Sequence, residues 1–260
     1  WMPVTIFIQS QNRELVNQTE AYNLGNTSGW WNEIEAYDFD DDGDLDLIGG
    51  NVGLNSRLRA SLAEPVHIYI QDIDNNGALD HLMTYFNDGE EHPFISRDQL
   101  VNQVPYFKRK FLKYDAFREV RLNDIVPAKE SEYIRKTAVD FASCYFENED
   151  DGKFSIRKLP AAAQLFPIFS FEIDDVNRDG HADILAIGNL YAVQPDIGRY
   201  DAGHGVVMLG DGKGNFTAVD HRKSGFFVRG EGRDIRGLKT PNGERVFLVA
   251  RNNDTMLIFK

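Results

Sequence analysis

Runs in which apolar and polar residues alternate fill most of this chain, and a period of two marks strands with one buried face. Such runs lie at 4–9 and 15–19, at 31–38, 45–50 and 66–71, and at 168–173, 183–188, 206–209 and 215–219. A last set lies at 233–238, 244–250 and 255–259. Tight turns such as Asp150-Asp151-Gly152 and Asp211-Gly212-Lys213-Gly214 join neighbouring runs, as hairpins require. Each leads into a similar strand, Gly152-Lys153-Phe154-Ser155-Ile156 or Gly214-Asn215-Phe216-Thr217-Ala218, and Asn12-Arg13-Glu14-Leu15-Val16 is a worn copy. The pattern predicts an all-β chain built of repeated units. A unit of four strands and roughly 40–60 residues has the size of a propeller blade.

Residues from about 96 to 139 break this pattern. Ser96-Arg97-Asp98-Gln99 fits a helix capping box, and Phe107, Phe111 and Tyr114 recur at helical spacing. Pro105 and Pro127 divide the segment into short helices. Lys108, Arg109, Lys110, Lys113, Arg118 and Arg121 make it locally basic, which reads as a solvated outer face above an aromatic packing face.

Candidate chemistry sits in one motif that occurs three times. Asp38-Phe39-Asp40-Asp41-Asp42-Gly43-Asp44-Leu45-Asp46 is matched by Asp72-Ile73-Asp74-Asn75-Asn76-Gly77-Ala78-Leu79-Asp80. It is matched again by Asp175-Val176-Asn177-Arg178-Asp179-Gly180-His181-Ala182-Asp183. Each has an oxygen side chain at places one, three, five and nine, and Gly at six. Asp, Asn and Gly favour turns without any metal. Turn chemistry does not, however, require oxygens in fixed phase, whereas a hard cation such as Ca2+ takes six to eight of them at about 2.3–2.6 Å. The EF-hand loop opens in the same way but needs a Glu at place twelve and flanking helices, and here β-type runs follow instead. The first loop is the most negative and is expected to bind best. The second is expected to be weakest, since Asn76 is neutral and Ala78 offers only its carbonyl. The turn Thr240-Pro241-Asn242-Gly243 holds no ligand set, so no metal is expected there.

A formal charge of −13 argues against nucleic acid as the main partner. No run approaches the roughly 18 apolar residues of a membrane helix. The single Cys144 excludes an internal disulfide and a multi-cysteine zinc site, and its apolar surroundings predict a buried, inert thiol. His67 and His81 flank the second loop, but a hard-oxygen loop selects Ca2+ over a transition metal. His204 and His221 have no paired ligand at useful spacing. Trp31 reads as a seal between blades; Trp30 is open between that role and ligand stacking at a loop mouth. No nucleophile elbow, phosphate loop, HExxH or dinucleotide fingerprint occurs.

The phrases YDFDDDGDLDLIGGNVGLNS, IDDVNRDGHADILAIGN and VMLGDGKGNFTAV resemble FG-GAP/VCBS repeats, the blades also found in the integrin α-chain propeller. The order of elements, closing on RVFLVARNNDTMLIF, is similar to the C-terminal part of large ASPIC/UnbV-type VCBS repeat proteins of Bacteroidota. The resemblance covers essentially the whole chain and implies a partial β-propeller of four-stranded blades over residues 1–260, with an α-helical insertion at about 96–139. It implies up to three Ca2+ sites. Their ligands are Asp38, Asp40, Asp42, Asp46 and the Asp44 carbonyl; Asp72, Asp74, Asn76, Asp80 and the Ala78 carbonyl; and Asp175, Asn177, Asp179, Asp183 and the His181 carbonyl. It also implies an extracytoplasmic or cell-surface setting and an interaction role.

The expected function is therefore non-catalytic binding of protein or glycan at a bacterial cell surface or in an envelope complex. A polysaccharide-active enzyme with its site at the propeller mouth is the alternative. The second loop follows the first too closely for a full blade, which suits an outer hairpin. The first unit shows only two strands and the last only three, so an upstream segment or a second envelope protein is expected to complete the ring.

Overall fold

A computed structural model describes residues 1–118, 120–126, 133–149, 151–195 and 197–260. Strand accounts for 37% and helix for 11%, in several small antiparallel sheets, so the all-β class holds. Pro127 and Asp150 fall outside the described residues. Among the described residues, no helix is long and apolar enough to cross a membrane. The chain divides into two compact units. One comprises Trp1–Pro3, Asn26–Gly29 and Leu58–Asp140, and the other Val4–Gly25, Trp30–Arg57 and Phe141–Lys260.

The larger unit begins with a hairpin of β1 (Phe7–Gln9) and β2 (Leu15–Asn17). Its second sheet contains β3 (Glu33–Tyr37) and β4 (Asp46–Gly50), and its third strand is not residues 66–71 as the run of alternation suggested. That place is taken by β9 (Cys144–Asn148), with Gly49 opposite Cys144, and β10 (Phe154–Lys158) forms the outer edge. A third sheet has the order β11 (Ile168–Asp174), β12 (Asp183–Gly188), β13 (Val206–Gly210) and β14 (Phe216–Val219). The last has three strands: β15 (Gly232–Lys239), β16 (Arg245–Arg251) and β17 (Leu257–Phe259).

Alternation explains how these sheets stack, because successive side chains leave opposite faces. On β12, Ile184 and Ala186 join Ile48, Tyr145 and Phe39 of the second sheet, while Leu185 and Ile187 join Ile235, Phe247 and Val249 of the last. The second sheet is divided in the same way. Ile48 and Tyr145 face the third sheet, and Leu47, Cys144 and Phe146 face Val4, Ile6 and Leu24 around the hairpin. Trp31 packs edge-on against Phe146 at 5.6 Å in that layer, and Trp30 lies 4.8 Å from Phe141. Cys144 is buried at 1% exposure, as its apolar context predicts.

The smaller unit is where residues 66–71 belong. β5 (Val66–Gln71) pairs with β6 (Asp80–Asn87) and with β8 (Ile134–Ala138), and β7 (Glu90–Pro93) closes the other edge. The departure from the repeat therefore includes a four-stranded sheet and is not only helical. The helices are short: α1 (Arg97–Gln103), α2 (Phe107–Lys110) and α3 (Tyr114–Arg118), with Pro105 between the first two. The capping box forms as expected, with Ser96 Oγ accepting from Gln99 N and Gln99 Oε1 from Ser96 N. Phe107 and Phe111 are buried with Tyr69, Leu82 and Leu100, but Tyr114 stands 66% exposed rather than on that face.

A half-buried acid, Glu33, ties β3, β11 and β15 of the larger unit together. Glu33 Oε2 accepts the Phe171 N–H, and the Ser170 hydroxyl lies 3.3 Å from Glu33 Oε1 and 3.4 Å from Asp234 Oδ1. Burial pushes the Glu33 carboxyl up to about 7 against these hydrogen bonds, and the Glu35 charge adds to the rise. The folded state therefore holds a proton that the unfolded chain releases near 4.5, and the resulting stability is lost as pH rises from 4.5 through 7. Glu33→Gln is expected to flatten the pH dependence of the unfolding free energy across that window, by no more than about 3 kcal/mol. An unchanged pH profile in thermal melts would contradict this account.

Candidate metal centre

The three acidic loops adopt one conformation. Each joins two antiparallel neighbours: β3 to β4, β5 to β6, and β11 to β12. The fourth residue is left-handed in all of them, with φ of 62° at Asp41, 57° at Asn75 and 63° at Arg178. Gly follows at place six with φ of 98°, 87° and 94° at Gly43, Gly77 and Gly180. Nothing lies within 4 Å of a Cβ built there, so the backbone angle and not crowding demands glycine.

The side chains repeat one set of hydrogen bonds. The first Asp accepts from the glycine N–H: Gly43 to Asp38 at 3.1 Å, Gly77 to Asp72 at 2.8 Å and Gly180 to Asp175 at 3.0 Å. The fifth residue accepts from the seventh N–H, as Asp42 does from Asp44, Asn76 from Ala78 and Asp179 from His181. The ninth Asp reaches back to the second residue. Phe39 N, Ile73 N and Val176 N donate to Asp46, Asp80 and Asp183 at 3.1, 3.0 and 2.9 Å. These three carboxylates are buried, at 1%, 4% and 0% exposure. They brace the loop whether or not an ion is bound.

Two loops gather carboxylates closely enough to hold a metal ion. One oxygen from each of Asp38, Asp40 and Asp42 lies within 4.8 Å of the others, and so does one from each of Asp72, Asp74 and Asp80. The donor set also fits a cation by what it lacks. In the first loop, buried Oδ1 atoms of Asp38, Asp40 and Asp44 have no hydrogen-bond partner, and neither does Asn148 Oδ1 beside them. In the second loop, the same is true of Asp74 Oδ1. Unpaired buried oxygens are costly, and a hard cation is the group that satisfies several at once. Burial, then the charges of Asp46 and Asp42, pushes Asp40 up to about 6; burial and Asp42 also raise Asp44. In both, loss of solvent is the larger cause and the neighbouring carboxylates add to it.

The remaining expectations sort differently. Among the described residues, the third loop brings no three carboxylates to that spacing, and its Asp179 is lowered by hydrogen bonds from the His181 N–H and the Asn177 amide. Asp183 Oδ1 accepts Gly210 N while Oδ2 accepts Val176 N and Asn177 N, and burial raises it. Asp46 lies outside the first trio, held by Phe39 N, Tyr145 Oη at 2.7 Å and Asn148 N at 2.8 Å. Asn76 turns its carbonyl oxygen to the Ala78 N–H. Tyr145 and Asn148, on β9, are parts of the first site that no local motif announces. His181 reaches from the third loop to Asp41 of the first at 3.3 Å. Among the described residues, His67 bonds Thr137 and joins no metal-ligating group, and the rings of His204 and His221 meet around Phe227.

Two substitutions separate bracing from metal binding. Asp46→Asn turns an amide N–H₂ toward existing donors and is expected to cost about 1–3 kcal/mol, with or without Ca2+. Asp40→Asn leaves those bonds alone and relieves repulsion in the loop, so it is expected to reduce the stabilisation that Ca2+ adds with no loss of stability in EDTA. Thermal melts of both variants in EDTA and in excess Ca2+ read the difference; equal behaviour would refute it.

Compared with known proteins, the chain matches no family model and no curated protein.

Proposed function

We propose that this chain is a calcium-stabilised segment of a β-propeller of the FG-GAP/VCBS kind, acting as a non-catalytic binding module for protein or glycan outside the cytoplasm. The observation that carries the reading is the threefold recurrence of one loop, with the same backbone, caps and buried ninth Asp, two copies of which converge carboxylates. The layered sheets with opposite faces on successive neighbours support it, as does the unit of four strands in two of them. Calcium is the favoured ion because, among the described residues, every convergent donor is a hard oxygen and no thiolate or imidazole takes part. The ion would act structurally, fixing acidic loops that otherwise repel themselves, and the loops so fixed would present a rigid surface to a partner.

An ion that binds only the folded chain raises stability by mass action, about 2.7 kcal/mol at a hundredfold excess over its dissociation constant. The melting temperature is therefore expected to fall in EDTA and to recover with Ca2+ more fully than with Mg2+. An unchanged midpoint would sink the structural-metal reading. Glycan arrays followed by reducing-end assays test the binding role, and the expected outcome is retention without turnover.

A further inference from the structure

The acidic loop of the third sheet joins β11 to β12 at one end of the strands, and a cleft opens at the other end. The links from β12 to β13 and from β14 to β15 meet there and enclose about 360 Å³. Tyr191, Asp201, His204, Phe227 and Arg229 line it, with Gly203 and Gly230 in its walls. The volume falls in the range of roughly 300–1,000 Å³ typical of small-ligand sites. All these residues belong to the larger unit, and none to an acidic loop.

Buried side chains fix the frame of the cleft. Asn189 is 2% exposed; its amide donates to Gly203 O and Gly230 O at 2.8 Å and accepts Gly203 N at 3.0 Å, so one side chain holds both walls. It does so at a φ of 83°, which a buried non-glycine residue keeps only where its surroundings over-determine it. Glu231, also buried, accepts the Tyr191 N–H at 2.7 Å, and His204 O accepts Val228 N at 2.7 Å.

The lining side chains are what this frame leaves unused. Phe227 packs against the rings of His204 at 4.7 Å and His221 at 5.1 Å, and the Arg229 guanidinium stands over it at 5.3 Å. Arg233, Arg245 and Arg251 of the same unit each hold an acid at 2.6–2.7 Å, whereas Arg229, among the described residues, has no ion pair. Asp201 likewise has no hydrogen bond among them. An unpaired cation calls for an anion, a free carboxylate for hydroxyl donors, and an aromatic face for a flat apolar C–H surface. A sugar ring bearing a carboxylate offers all three.

We propose that this cleft binds a uronic acid residue of an acidic glycan, with its carboxylate on Arg229, its ring against Tyr191 and its hydroxyls on Asp201. Phe227 orients the guanidinium. The inference rests on the binding-module reading, whose site and ligand class it names, and does not depend on bound metal.

The test titrates a trisaccharide of galacturonic acid, and separately its methyl ester, into the full chain and follows amide NMR. The expected result is shifts at Tyr191, His204 and Gly230, with the ester binding at least tenfold more weakly. Arg229→Gln should reduce binding of the acid to that of the ester with no change in the thermal melt, and Arg229→Lys should restore most of it. Tyr191→Ala should weaken both forms. Absence of shifts at millimolar trisaccharide, shifts at the acidic loops instead, or equal binding of acid and ester would each overturn the proposal. A glycan retained on an array but indifferent to Arg229→Gln would refute the cleft and leave the binding-module reading standing.

Discussion

Each acidic loop rests on one buried carboxylate that accepts the N–H of a residue seven positions earlier. A charged group taken out of water must be compensated, and here backbone donors do it: two or more for Asp46 and Asp183. The bond closes the loop into a ring and delivers the following strand into its sheet at a set register. Everything above that foot follows from it. The left-handed fourth residue, the glycine at place six and the inward oxygens are the path a chain takes when both ends of the ring are fixed.

The first loop goes one step further, because its foot also anchors another strand. Tyr145 Oη and Asn148 N both reach Asp46 from β9, and Asn148's side chain reaches Asp44. One carboxylate thereby joins loop conformation, sheet pairing and the aromatic cluster of Tyr145, Phe39 and Phe216. The third loop has a comparable tie through Gly210 N on β13. In both, the loop and the core are one cooperative piece.

The loops and most strands were legible because their information is local. Phase within nine residues names the first Asp, the glycine and the ninth Asp, and alternation names a strand. The Ser96 capping box is local too. Partners in a sheet are not, and residues 66–71 show why. Their alternation says strand, but any antiparallel neighbour with a matching apolar face would satisfy it, and β6 and β8 did so instead of β4. The same limit hid Tyr145 and Asn148 from the first site, and the meeting of His204 with His221. Nor does the motif separate an oxygen that points inward from one turned to a neighbouring N–H, as Asn76 and Asp179 are.

The pairing of β4 with β9 joins residues about 95 positions apart, as Gly49 stands opposite Cys144. Closing a loop of that length costs roughly 4 kcal/mol of chain entropy before any contact repays it. Val66 and Ala138 are partners across β5 and β8, and their meeting brings the two ends of the intervening segment side by side. With that pair formed, about 20 flexible residues separate β4 from β9, and the closure cost falls to roughly 3 kcal/mol. The inserted sheet thus acts on folding order: once assembled, it turns a distant encounter into a near one, and the Asp46 anchorage is the step it hastens.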